Sequence, residues 1–131
     1  MPERTIVRVL IAEDHAGVRA ALRSALATAG GIQVVGEAAD GDEALRLVDS
    51  LSPDALLLDL GLPVMDGFAV ARALAARPAR PWIVVLTADG SAAARQAAAL
   101  AGADRFLVKG ADLAALLEAL HGVQSRALRP R

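Results

Sequence analysis

Five side chains able to handle charge stand where apolar runs end. Glu13 and Asp14 follow the run over residues 6–12, Asp59 follows Leu56-Leu57-Leu58, Thr87 follows the run over 82–86, and Lys109 follows 105–108. Asp59 is the most demanding of these. It lies at or just inside the end of a buried strand, the next helix starts several residues later, and no helix end is available to satisfy it. An ionised carboxylate there costs several kcal/mol unless paired, and two more acids beside it add repulsion that a cation must relieve. An all-oxygen donor set with room for water suits Mg²⁺, with Mn²⁺ as the close substitute. Taken singly, each other residue has a plainer use: Asp14 as a helix N-cap, Lys109 as a solvated strand-end lysine, Thr87 as a strand or turn hydroxyl. Taken together, an acid pair, a lone acid, a hydroxyl and an ammonium from the ends of four strands make a site in which Lys109 reaches the acids and Thr87 bonds a bound oxyanion.

The elements that must position these groups are legible as an alternation of short apolar runs with helical periodicity. Strands are expected over 6–12, 32–38, 55–60, 82–86 and 105–108. Val18, Leu22 and Leu26 recur on one helical face before Gly30-Gly31 ends that helix. Ala44, Leu45, Val48 and Leu51 form a second helix after Asp40-Gly41, stopped by Pro53. A third starts near Asp66 or Gly67 and ends before Pro78. Ser91 caps an Ala-rich fourth that ends at Gly102, and Asp112 caps a fifth that runs to about His121. Strands three and four are apolar throughout, the mark of strands covered on both faces in a parallel sheet. The expected fold is therefore α/β: a doubly wound (βα)5, flavodoxin-like three-layer sandwich with strand order 2-1-3-4-5. Its ligand crevice lies between the carboxyl ends of strands one and three. The domain is expected over 1–124, with 125–131 as a polar, basic tail or the start of a linker.

Composition narrows the function. The chain has 131 residues, 55% hydrophobic and 22% charged, enough apolar material to bury a core rather than stay disordered. Its net charge is −1 and its basic residues are dispersed, which argues against nucleic-acid binding by this domain alone. Without Cys there is no disulfide frame, thiolate zinc site or cysteine nucleophile. Two Phe, one Trp and no Tyr make a poor stacking platform. No run is long enough for a signal-peptide core or a membrane span, so a soluble, cytoplasmic protein without a membrane partner is expected.

The motifs Val9-Leu10-Ile11-Ala12-Glu13-Asp14-His15, Asp59-Leu60-Gly61-Leu62-Pro63-Val64-Met65-Asp66-Gly67, Val84-Val85-Leu86-Thr87-Ala88 and Gly102-Ala103-Asp104-Arg105-Phe106-Leu107-Val108-Lys109 resemble those of the response-regulator receiver domains of bacterial two-component signalling, over about residues 5–121. The resemblance implies that Asp59 is the phosphoacceptor and that Glu13, Asp14, Asp59 and the backbone carbonyl of Gly61 bind Mg²⁺. It further implies that Thr87 is the switch hydroxyl, Lys109 the phosphate-pairing lysine and Phe106 the aromatic that turns inward on activation. A phosphoryl group taken from a sensor histidine kinase would then switch the face built from helix four, strand five and helix five. That is phosphoryl acceptance assisted by the domain itself rather than enzymatic turnover. A homodimer formed on phosphorylation is allowed.

Glu13 stands where Asp is commoner, Gly110 where many receivers have Pro, and Phe106 where Tyr is usual. Gly110, His15 and Val35-Gly36-Glu37-Ala38 resemble the subclass that precedes a helix-turn-helix output domain, so transcriptional control is expected, with DNA contacted only through an output domain that these residues lack. The alternative is a receiver-like interaction module that accepts no phosphate. A haloacid-dehalogenase-like phosphatase would need a second Asp where Gly61 stands. A flavin phosphate would be repelled by the acids.

Overall fold

The computed structural model describes residues 6–127. Strands β1 (Val7–Ala12), β2 (Ile32–Ala38), β3 (Ala55–Leu58), β4 (Trp82–Thr87) and β5 (Arg105–Val108) alternate with helices α1 (Ala16–Ala27), α2 (Gly41–Leu51), α3 (Gly67–Ala75), α4 (Ala92–Ala101) and α5 (Leu113–Ala127). All pairings are parallel and the strand order is β2-β1-β3-β4-β5, as the alternation of runs requires. In this order β1 is flanked by β2 and β3, and the chain reverses its winding beside β1. The crevice at that reversal opens outside the carboxyl ends of β1 and β3.

Each central strand feeds two cores. Leu56 and Leu58 of β3, with Leu10, Ile83 and Val85, pack beneath α2, α3 and α4 through Val48, Val70, Leu74 and Ala98. On the opposite face Val9, Ile11, Leu57 and Val84 pack beneath α1 and α5 through Leu26, Leu116 and Leu120. Every residue of β3 and β4 is buried, which is why their sequences do not alternate.

Five boundaries differ from the expectation, the smallest being that of β1, which opens at Val7 rather than at Ile6. The first helix ends at Ala27, before the glycine pair, because the Thr28 hydroxyl donates to the Ala25 carbonyl at 2.9 Å and competes with continued helix. β3 stops at Leu58, although the Asp59 N–H still donates to the Ala12 carbonyl at 3.0 Å. β4 takes in Thr87, whose carbonyl accepts from the Lys109 N–H at 2.7 Å. The last helix passes His121 and reaches Ala127, running into the segment read as a tail. Beyond His121 it is held by Val123, packed on the core under α1 and α5, and by Arg126, which donates from Nη1 to the Arg80 carbonyl at 3.1 Å. Residues 128–131 of the expected tail and 1–5 of the expected domain lie outside the described residues.

Candidate functional site

The carboxyl edge of the sheet gathers the expected charges. Glu13 is the first residue past β1, and its N–H donates to the Ala38 carbonyl at 3.0 Å, so its backbone is held in the sheet. Asp59 is held likewise from β3. Behind it the start of α3 presses close: a Cβ at Gly67 would lie 2.6 Å from the Asp59 carbonyl oxygen, so only glycine permits this approach. Glu13 is 2% exposed and Asp59 8%. Asp14 is exposed. One carboxylate oxygen from each of the three lies within 4.8 Å of the others, a donor set of oxygens alone. This is the arrangement a hard divalent cation needs, and it leaves the solvent side to water or an anionic ligand.

Lys109 crosses this cluster. Its ammonium lies 2.8 Å from Glu13 Oε1 and 3.3 Å from Asp59 Oδ2. Partial burial pulls its pKa down, but the hydrogen bond to Glu13 and the charges of Asp59 and Glu13 outweigh that, leaving it above the usual lysine value. The other oxygens are also engaged: Glu13 Oε2 accepts from the His15 N–H at 2.9 Å, and Asp59 Oδ1 from the Gly61 N–H at 3.2 Å. Asp14 is the contrast, making no hydrogen bond or ion pair through its carboxylate among the described residues. It is not the N-cap of α1. That position belongs to His15, whose Nδ1 accepts from the Val18 N–H at 3.3 Å.

Thr87 is buried at the same edge, and its Oγ1 accepts from the Asp89 N–H at 3.3 Å, which leaves its own proton available. Phe106 is half-buried against the core under α2, α3 and α4, with the Arg95 guanidinium of α4 4.5 Å from its ring centroid. Gly110 adopts a φ of 97°. A proline ring cannot take that angle, so the loop after Lys109 has a path that the commoner Pro would forbid. Beside the acids, α1 and α5 leave an apolar groove of about 430 Å³, lined by Val18, Leu22, Leu107, Leu116, His15 and Lys109.

Two arginines escaped the sequence reading. Arg19 donates from Nη1 to the Glu13 carbonyl at 2.7 Å, and Arg95 covers Phe106. The signal for Arg19 was present: Arg19 and Arg23 share a face of the first helix, and Glu37 is the lone acid in the second strand. For Arg95 an Ala-rich helix gave no hint of which strand residue its one cation would meet.

Comparison with known proteins supplies the family. The model of the response regulator receiver domain matches residues 9–121. The chain is 46% identical over 109 residues to protein-glutamate methylesterase/protein-glutamine glutaminase 5 of Myxococcus xanthus, covering 82% of this chain and 31% of that protein. It is 38% identical over 120 residues to the nitrate/nitrite response regulator protein NarP of Escherichia coli, covering 92% of this chain and 56% of NarP. Thus it spans roughly a third to a half of these relatives. Among solved structures, the signal receiver domain of NarL from Mycobacterium tuberculosis superposes with a TM-score of 0.83 at 34% identity, over 90% of this chain and 98% of that one.

Proposed function

The chain belongs to the response-regulator receiver family, and on that premise we propose that Asp59 accepts a phosphoryl group from the phosphohistidine of a sensor histidine kinase. The observation that carries this reading is the single ammonium of Lys109 shared between Glu13 and Asp59 while Asp14 is left unpaired, a cluster whose negative charge exceeds its internal compensation. Asp59 Oδ attacks phosphorus in line, the P–N bond breaks, and the histidine nitrogen leaves with the bonding pair. Glu13, Asp14, Asp59 and the Gly61 carbonyl would hold Mg²⁺ or Mn²⁺, whose charge, when bound, offsets repulsion between the acids and the incoming phosphoryl oxygens. Lys109 neutralises charge on the transferred group, and Thr87 turns its hydroxyl towards it. Phe106 moves into the space Thr87 gives up, which alters the face of α4, β5 and α5.

This face then forms a homodimer or passes the signal on, and the output is transcriptional control. The likeness to NarP over nearly the whole chain supports that output. The methylesterase relative makes an enzymatic output the competing reading. Incubation with acetyl phosphate and Mg²⁺, followed by peptide mass spectrometry, should find the modification on Asp59 and none in Asp59→Asn. Modification of Asp14 or Asp66 instead overturns the assignment, and no modification at all favours the interaction module.

A further inference from the structure

Asp14 presents an orientation problem. Its carboxylate is exposed and engages no partner among the described residues, so the direction in which it points is set by its backbone alone. The peptide that joins it to Glu13 lies just beyond the last sheet hydrogen bond of β1. What holds the carbonyl of that peptide is Arg19, one turn into α1, with Nη1 at 2.7 Å. Arg19 is itself tethered. Its Nε lies 3.4 Å from Glu37 Oε1 on β2, and Glu37 Oε2 accepts from Arg23 at 2.6 Å. The Arg19 side chain is 19% exposed, so this fork is packed rather than loose on the surface.

We propose that Arg19, braced by Glu37 and Arg23, is a positioning residue for the acid pair: it fixes the Glu13–Asp14 peptide so that Asp14 is aimed at a divalent cation shared with Glu13 and Asp59. This rests on the metal reading given above. The guanidinium acts through geometry and against its own charge, because a cation beside the cluster by itself weakens the binding of another. The two effects therefore have opposite signs on removal. Mg²⁺ demands near-ideal octahedral geometry, whereas Ca²⁺ tolerates irregular, larger cages, so a slackened Asp14 costs Mg²⁺ more than Ca²⁺.

Calorimetric titration of the whole chain with Mg²⁺ and with Ca²⁺ tests this. Arg19→Gln should weaken Mg²⁺ binding about tenfold, the lower end of the loss typical when a partner that orients a metal ligand is removed. Ca²⁺ affinity should fall less, so that the Mg²⁺/Ca²⁺ ratio drops. Arg19→Lys, which keeps the charge and loses the planar fork, should fall on the same side, and Glu37→Gln should give a smaller loss in that direction. Unchanged or tighter Mg²⁺ binding in Arg19→Gln, or a lower melting temperature with affinity and ratio intact, overturns the positioning role. Asp14→Ala separates the two claims: a native chain that binds no Mg²⁺, or an Asp14→Ala variant that binds it as well as the native one, overturns the metal site and the positioning role together.

Discussion

At the scale of single residues, length and conformation decide what each group near Asp59 does. Glu13 is one methylene longer than Asp, and that reach lets its carboxylate meet Lys109 at 2.8 Å while its other oxygen takes the His15 N–H. Gly61 stands beside Asp59 with open space: a Cβ there would lie 3.9 Å from Asp59 Oδ1 and meet nothing closer. A side chain at 61 would therefore fit and overhang the phosphorus. Hydrolysis of the aspartyl phosphate needs water in line opposite the leaving carboxylate, so this bulk should slow it. The Gly61→Met variant is expected to hold its phosphoryl group several times longer than the parent, followed at constant Mg²⁺ after removal of the phosphodonor. A lifetime equal to or shorter than the parent's, in a folded variant, refutes the shielding. Asp89 is expected to matter less. Its carboxylate accepts from the Ser91 N–H at 2.9 Å, and that hydrogen bond, with a second from the Ser91 side chain, holds its pKa below the usual carboxylate value. It is occupied in shaping the turn before α4, and Asp89→Ala should lengthen the lifetime only slightly.

At the scale of elements, the switch proposed above turns on the contact between α4 and β5. Helix α4 buries only Ala94, Ala98 and Ala101, so its packing on the sheet is shallow, and its Arg95 lies over the Phe106 ring. An exposed cation–π pair contributes about 0.5–1 kcal/mol. If Phe106 must leave Arg95 to turn inward, that contact favours the unphosphorylated state. Arg95→Ala should then raise the apparent affinity for beryllofluoride about two- to fivefold, the equivalent of that energy in a two-state shift. Amide exchange across 88–106 should show the response at lower beryllofluoride concentration, and Thr87→Ala should blunt it. Unaltered or weaker beryllofluoride binding in Arg95→Ala removes the clamp from the account. The elements themselves were largely legible in the sequence, since runs such as Ile83, Val84 and Val85 admit no other reading in an α/β chain. The misses lie where a side chain intervenes locally, as with the Thr28 hydroxyl at the end of α1, or where a distant partner does, as with the Arg80 carbonyl that accepts from Arg126 and holds α5 past His121. The acids and Lys109 were legible because they end apolar runs. The Arg19 brace was legible only in its Glu37 half, because its other acceptor is the Glu13 backbone carbonyl, which no residue type announces.

At the scale of the whole molecule, the two edges of the sheet do opposite things. At the amino edge, Trp82 is buried between the guanidinium groups of Arg105 and Arg126, 4.9 Å and 5.8 Å from its ring, and Arg80 pairs with Asp104 through two hydrogen bonds. Arg80 has a carboxylate and the other two guanidinium groups lie on the Trp82 ring, so each cation there has a partner, and that end is built for stability. At the carboxyl edge one ammonium pairs with two of three clustered acids and leaves Asp14 unpaired, an arrangement that costs stability in the absence of a further cation. Removing the unpaired acid should therefore stabilise the metal-free protein. Asp14→Ala is expected to gain about 0.5 kcal/mol in chelator, a rise in melting temperature on the order of 2 °C for a domain of this size. Added Mg²⁺ should reverse the ranking, because ligand binding to the folded state stabilises the native chain and not a variant that has lost the site. Thermal unfolding in chelator and in excess Mg²⁺ measures both terms at once. An Asp14→Ala variant less stable than the native chain in chelator would show that this edge carries no charge strain, and equal gains from Mg²⁺ in the two proteins would show that Asp14 does not face the cation.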